Sequence, residues 1–388
     1  MPYPRSGEAS LYDSSLPVQQ KKEVPRLAQA TTTKQSSQTG VVSFGNRISR
    51  WRKNLLLQRL ARALLTIYIA TTLSFFLIRL MPSNPVQIYI TQLISTFGLS
   101  YQEAANMASS LFSIDLDRPM ILQYFDYLGN LARGNLGKSL ISHGTNVTSM
   151  IAEFLPWTLF SVGTSLLISY VLGVLLGMVI AYRRGSMLDH VLTTLASILS
   201  SIPNYIVAIL VLIFLGVRWK IVPITAMRGS LSPGVVPGFT WEFFSDAFFH
   251  AFMPILTYVI TTVGRWMLMM KNSTLNTLGE DYVTVAKARG LKNRTITISY
   301  VGRNAILPLV TNLAISIGFI IGGAALIEGI FVYKGIGWIL LSSINQRDYP
   351  VMQGVFLCIT VSVVLSNLAA ELLYSRLDPR IRVPGGEA

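Results

Sequence analysis

Six apolar runs dominate the chain, at roughly 60–80, 158–182, 191–217, 248–270, 305–330 and 351–374. Each supplies the ~20 residues that a membrane-crossing helix needs. Within a bilayer every backbone N–H and C=O must be satisfied inside the protein, so runs of this length imply helices rather than open strands. A mean hydropathy of +0.51 and a charged fraction of 13% fit the same reading. The expected fold is therefore an all-α integral membrane protein with six transmembrane helices.

The formal charge of +14 raises the question of nucleic acid, and its distribution answers it. Residues 1–59 hold ten Lys/Arg and three Asp/Glu, a surplus of seven and half of the total. Most other basic residues flank apolar runs, where positive charge marks the cytoplasmic side of a membrane rather than a groove for phosphates. Arg47, Arg50, Arg52, Lys53, Arg59 and Arg62 precede or open the first run, and Arg183 and Arg184 follow the second. Lys271, Lys287, Arg289, Lys292, Arg294 and Arg303 follow the fourth, and Arg376, Arg380 and Arg382 follow the last. The intervening loops carry three, three and two. Both termini are thus expected in the cytoplasm of a multi-pass protein of the cell membrane, with the lipid bilayer as a partner and nucleic acid excluded.

This gives an expected organisation along the chain. Residues 1–54 form a cytoplasmic tail, rich in Ser, Thr and Gln and without apolar period, which reads as disordered or as a docking segment. The first helix occupies 55–81, an extracytoplasmic segment 82–150, a core of five helices 151–376, and a short cytoplasmic tail 377–388. One cysteine, Cys358, and three scattered histidines, His143, His190 and His250, provide neither a disulfide framework nor a metal pair. Gly173 with Gly177, and Gly318 with Gly322, have the spacing that lets helices approach closely, within the subunit or at a dimer seam. Pro203 inside the third run predicts a kink, which either lines a polar path or is only a bend.

Between the fourth and fifth runs lies the most polar insertion, a loop over about 272–304 that contains EDYVTVAKARGL at 280–291. Tyr282, Val285 and Ala286 fall at i, i+3 and i+4, a short apolar stripe on a helix of about three turns. Glu280 and Asp281 start it and Lys287 and Arg289 end it, as the helix dipole favours. Gly290 supplies the left-handed residue of a C-cap, with Leu291 folding back on Ala286. A second stripe of Ile296, Tyr300 and Arg303 leads through Asn304 and Pro308 into the fifth span. The stripe is too small for membrane attachment and suits insertion into a groove of another protein.

Glu280, Ala286, Gly290 and Ile306-Leu307-Pro308 resemble the EAA signature of permease subunits of ABC importers, with Asp281 and Tyr282 in place of two alanines. The Glu-Asp-Tyr variant, with Ala-Lys-Ala-Arg-Gly-Leu and Arg-Asn-Ala after it, is similar to the dipeptide/oligopeptide/nickel subfamily. Leu116-Asp117-Arg118-Pro119, Arg133 to Ser139, Ser201-Ile202-Pro203, Glu328 with Phe331 and Gly335-Ile336-Gly337, Arg347 to Pro350, and Asp378-Pro379-Arg380 extend the likeness over about 55–382. Lys334 and Ser83-Asn84-Pro85 depart from it. The resemblance implies the type I importer permease fold and a second homologous permease. It also implies two cytoplasmic ATPases that hold ATP and Mg, an extracytoplasmic solute-binding protein, and no cofactor on this chain. The 280–291 loop would be the coupling helix, with Glu280, Asp281, Tyr282, Ala286, Arg289, Gly290 and Leu291 at the ATPase. Peptides are the expected cargo, with oligosaccharides and nickel as alternatives.

Other readings fare worse. Gly134 to Ser139 is half of a phosphate-binding loop, but Ala132 replaces its first glycine, so ATP hydrolysis is not expected here. An intramembrane hydrolase needs a nucleophile facing a base at depth, and none is spaced for it. A secondary transporter remains a rival through Glu328, Arg265 and Glu371, although no repeat is visible and these charges read as interfacial.

Overall fold

A computed structural model describes residues 55–80, 85–111, 119–140, 142, 144–318, 320–323 and 325–377. The tail expected over 1–54, all but the first residue of the tail over 377–388, and Ser83, Asn84, Leu116, Asp117, Arg118, Asp378, Pro379 and Arg380 lie outside the described residues. The helices in chain order are α1 (Leu55–Arg79), α2 (Pro85–Phe97), α3 (Tyr101–Leu111), α4 (Met120–Ala132), α5 (Val147–Tyr182), α6 (Met187–Ser201) and α7 (Asn204–Arg218). They continue with α8 (Trp241–Leu278), α9 (Asp281–Ala288), α10 (293–305), α11 (Leu307–Gly318), α12 (Ala325–Phe331), α13 (Ile336–Gln346) and α14 (Tyr349–Leu377). Ile320–Gly323 adds one helical turn between α11 and α12.

Four stretches are long and apolar enough to cross a membrane: Leu57–Ile78, α5, α8 and Tyr349–Leu372. Two bent pairs, α6 with α7 at 100° and α12 with α13 at 84°, make six when each pair counts as one span. The kink at Pro203 is therefore a sharp break. Pro254 and Arg265 do not interrupt the fourth run, which is part of the longest unbroken helix among the described residues, 38 residues. It starts early because the Thr240 hydroxyl accepts from Phe243 N–H as an N-cap. It also continues past the apolar run to Leu278, so Lys271 stands in a helix and not in a loop. Helix α13 lies in what was expected to be an outer loop.

The centre of the bundle is the pairing of α5 with α8. Gly173 faces Trp266, and a Cβ on Gly177 would stand 2.5 Å from the Met267 carbonyl oxygen and 2.7 Å from Met270 Cβ. Gly318 and Gly322 do the same for α14, opposite Ser366 and Ile359. Both glycine pairs thus serve packing within the subunit. Gly264 lies against the Ala196 backbone, which fixes α6 on another side of α8. On the same flank, Lys271 Nζ donates to Asp189 Oδ1 at 2.5 Å and to Thr193 Oγ1 at 2.9 Å, joining the start of α6 to the last third of α8.

At the 84° bend the chain needs acceptors for the first amides of α13. Glu328, fully buried, supplies them: its Oε2 accepts from Gly337 N–H (2.8 Å) and Trp338 N–H (3.1 Å), and its Oε1 from Thr158 Oγ1 (2.6 Å). Thr158 Oγ1 in turn accepts from Ile336 N–H at 2.8 Å. The expected interfacial place for Glu328 is thus overturned, since it serves as the cap of a helix packed on α5.

On the far side from the 280–291 loop, Asp348 plays a similar part. It accepts from Ser139 Oγ at 2.5 Å and Leu140 N–H at 3.2 Å, tying the end of the 82–150 segment to the start of α14. Ser139 therefore works as a tether. Helix α4 packs on α1 through Tyr124, whose hydroxyl lies 2.8 Å from Thr72 Oγ1 and donates to Tyr68 at 3.1 Å. Arg59 and Glu371 form an ion pair at 3.1 Å between α1 and α14, so Glu371 has a tethering partner.

Two substitutions test the α5–α8 seam. Gly177→Ala is expected to lower the melting temperature of the detergent-solubilised protein, at a cost of about 1–3 kcal/mol for overpacking against a fixed backbone. Gly163→Ala on the same helix, where a Cβ meets nothing within 4 Å, should leave it at or above wild type. Thermal unfolding of the two variants side by side checks the difference.

Candidate coupling surface

The polar loop folds into a helical corner held on three sides. Leaving α8, Gly279 N–H and Glu280 N–H bond back to the Asn276 and Thr277 carbonyls at 3.1 and 3.2 Å, a tight turn without insertion. Glu280 is the N-cap of α9 through its backbone, its carbonyl accepting from Val283 N–H at 3.0 Å. Its side chain makes no capping bond. Asp281 in the first turn and Lys287 in the last complement the dipole as expected.

The C-terminal end is a Schellman cap. Leu291 N–H reaches the Ala286 carbonyl at 3.3 Å and Gly290 N–H the Lys287 carbonyl at 2.9 Å, with Gly290 at φ +71°. Because both Glu280 and Arg289 are caps, α9 has eight residues, about two turns rather than three. The inward stripe is also shifted from the expected one. Val283 and Ala286 are buried with Ile296 and Val301, and Leu278, Leu291 and Tyr300 close over them. The expected members Tyr282 and Val285 instead point outward, 38% and 56% exposed.

These contacts make α9 a fixed projection and not a swinging loop. Tyr282 is tied from outside, its hydroxyl accepting from Asn304 Nδ2 at 3.0 Å. Ser273 Oγ of α8 donates to the Ala305 carbonyl at 2.7 Å, clamping the incoming helix to the outgoing one. Helix α10 includes a wide π-type turn over Ile296–Gly302, whose Gly302 comes close to Met178 near the C-terminal end of α5. Displacement of α9 must therefore carry α8, α10 and the end of α5 with it.

Of the residues expected at the loop's contact, Glu280, Asp281, Tyr282, Arg289 and Gly290 are exposed. Ala286, 2% exposed, belongs to the inner face, and Leu291 is half-buried in the same small core. Val285 also faces outward, although it was not among the residues expected at the contact. Periodicity alone does not find it, because Val283 and Val285 are both apolar and it is the packing on Ile296 and Val301 that makes Val283 the inward anchor.

A helical membrane bundle that carries such a corner after its fourth span has the architecture of a transport permease. Residues 173–383 match the family described as binding-protein-dependent transport system inner membrane component, and the chain belongs to it. It is a permease subunit of the type I importer fold. A protein of Brucella suis biovar 1 that carries a peptide-permease name is 34% identical over 327 residues, covering 84% of this chain and 98% of that one. The di/tripeptide transport system permease protein DppB of Pseudomonas aeruginosa is 32% identical over 336 residues, 84% and 97% of the two chains. The dipeptide transport system permease protein DppB of Escherichia coli K12 is 30% identical over 343 residues, 84% and 98%.

The cap yields a local prediction. Gly290→Val places a β-branched residue at positive φ, where no neighbour clashes but the backbone itself resists. Amide exchange over 286–292 should rise by about tenfold, the scale of 1–2 kcal/mol of left-handed strain, with membrane yield unchanged. Gly290→Asn, which tolerates this conformation, should stay near wild type.

Proposed function

We propose that this chain is one of two homologous permease subunits of an ATP-driven peptide importer. It would take peptides from an external solute-binding protein and work with two cytoplasmic ATPases, which hold the ATP and Mg. Its termini and the α9 corner would face the cytoplasm. The outward face of α9, with Tyr282, Val285 and Arg289 and with Glu280, Asp281 and Gly290 at its margins, would sit in a cleft of an ATPase. The observation that carries this reading is the rigid corner: an exposed two-turn helix, capped, packed on its own core and clamped to both adjoining helices.

The mechanism follows from that stiffness. A cleft that closes on ATP displaces α9 as a body, and α8 and α10 follow because their contacts with it are packed and hydrogen-bonded. Ala286 and Leu291 act from inside, as the seat of the helix and not as its contact. Peptide as cargo is supported by the names of the relatives; nothing in the chain favours oligosaccharide or nickel over it. The rival of a secondary transporter loses support from Glu328 and Glu371, both engaged in structural bonds.

Uptake of a labelled tripeptide into proteoliposomes holding the full complex should require ATP, the binding protein and intact ATPases. Gly290→Val should keep ATP hydrolysis within about twofold of wild type and cut uptake by roughly tenfold or more, since a misaligned element loses coupling on the scale of 1–3 kcal/mol. Uptake driven by an ion gradient without ATP would contradict the proposal, as would full transport by the variant.

A further inference from the structure

Arg265 stands where a charge is costly. It was expected near the end of an apolar run, yet α8 continues 13 residues beyond it to Leu278, about 20 Å at the helical rise. Its neighbour Trp266 meets Gly173 of α5, nine residues before the last residue of that helix, Tyr182. Arg265 therefore lies about 14 Å from the Arg183-Arg184 turn, close to the middle of a hydrocarbon layer about 30 Å thick. Its side chain is exposed, and no described residue offers it an ion pair or a hydrogen bond.

The surroundings set its direction. Gly264 is held against α6, and Trp266, Met267 and Met270 face α5, so the remaining side of α8 carries Thr262, Arg265, Met269, Asn272 and Asn276. Those positions are spaced by three and four, one continuous stripe on a helix, polar at four of five places. On α11, which runs back along α8 from the Ser273–Ala305 clamp, exposed Asn312 falls seven residues beyond Ala305, at the depth of Trp266 and Arg265. At that depth, facing lipid would leave the Arg265 guanidinium unsolvated; intramembrane arginines face water-filled cavities instead. Between Ala247 and Leu278, α8 contains no acidic residue, and neither does α11. The sign of this surface is positive.

We propose that Arg265 lines the translocation pathway and receives the C-terminal carboxylate of the passing peptide. A guanidinium forks onto a carboxylate with two parallel N–H donations, a contact that Lys or Gln does not reproduce. Asn272 and Asn276 continue the polar face toward the cytoplasm, so the carboxylate is released into a hydrated lane. The assignment rests on the peptide-permease reading.

The test uses the complete complex in proteoliposomes with saturating binding protein. Free-acid and C-terminally amidated forms of one tripeptide are compared for wild type and Arg265→Gln. The ratio of variant to wild type for each substrate removes the binding protein's own preference. Loss of one charged contact should lower kcat/KM for the free acid by roughly tenfold and leave the amide within about twofold. A second measurement needs no amide. In a Cys358→Ser background, Arg265→Cys is treated with a cationic ethylammonium or an anionic ethylsulfonate thiosulfonate reagent. The cationic adduct should restore free-acid uptake and the anionic one should not. Equal loss for both substrates, rescue by both adducts, or no labelling in the assembled complex would each overturn the proposal. So would failure of the Arg265→Gln subunit to co-purify with the second permease, which would place the arginine in the subunit seam. Absence of peptide uptake by the wild-type complex would overturn the peptide reading itself, and the inference with it.

Discussion

In the water-free layer of a membrane, an unmatched backbone amide has no solvent to turn to, and every departure from a straight helix must be matched from within. That constraint governs where this protein bends. The chain turns by 84° between α12 and α13 because Glu328 and Thr158 stand ready for the amides of Ile336, Gly337 and Trp338. Gly335 is part of the same arrangement, since any Cβ there would collide with the Glu328 carboxylate and the Thr158 hydroxyl. At the other bend, Pro203 has no amide to satisfy, and α7 begins directly after it.

The same logic gives the 280–291 corner its stiffness. Nothing in α9 hangs from a flexible linker: a tight turn ties its N-cap Glu280 to the end of α8, the Schellman cap engages its last carbonyls, and its apolar face rests on Ile296 and Val301. The close seam of α5 and α8, permitted by Gly173 and Gly177, then carries any displacement into the bundle. Backbones this near cannot slide independently, so two positions of the corner imply two arrangements of the spans.

Much of this was legible in the chain. Run length gave the spans, four as single helices and two as bent pairs, and the glycine at 290 gave the corner, because a helix ending in AKAR closes most readily on a residue that tolerates the left-handed region. The glycine pairs at 173/177 and 318/322 were read as packing seams, though not with their partners. The misses have physical causes. Apolar count underestimates a helix that leaves the membrane, so α8 was cut short at both ends and Arg265 was placed near an edge it does not occupy. Periodicity over eight residues cannot choose between Val283 and Val285 as the inward side, since both are apolar and the contacts that decide are with Ile296 and Val301. The cap by Glu328 joins residues 170 apart in sequence to Thr158, a relation that no local pattern encodes.

The central claim is that the corner moves as one body and takes the bundle with it. Spin labels at Val285 and Ile298, both exposed, report distances within the corner, and a label at Val285 paired with one on the equivalent corner of the second permease reports its displacement. In the assembled complex, trapping the ATP-bound state should change the distance between the two corners by several Å while the 285–298 distance stays fixed. A 285–298 distance that changes with nucleotide while the corners keep their separation would show a hinge where this account requires a rigid lever.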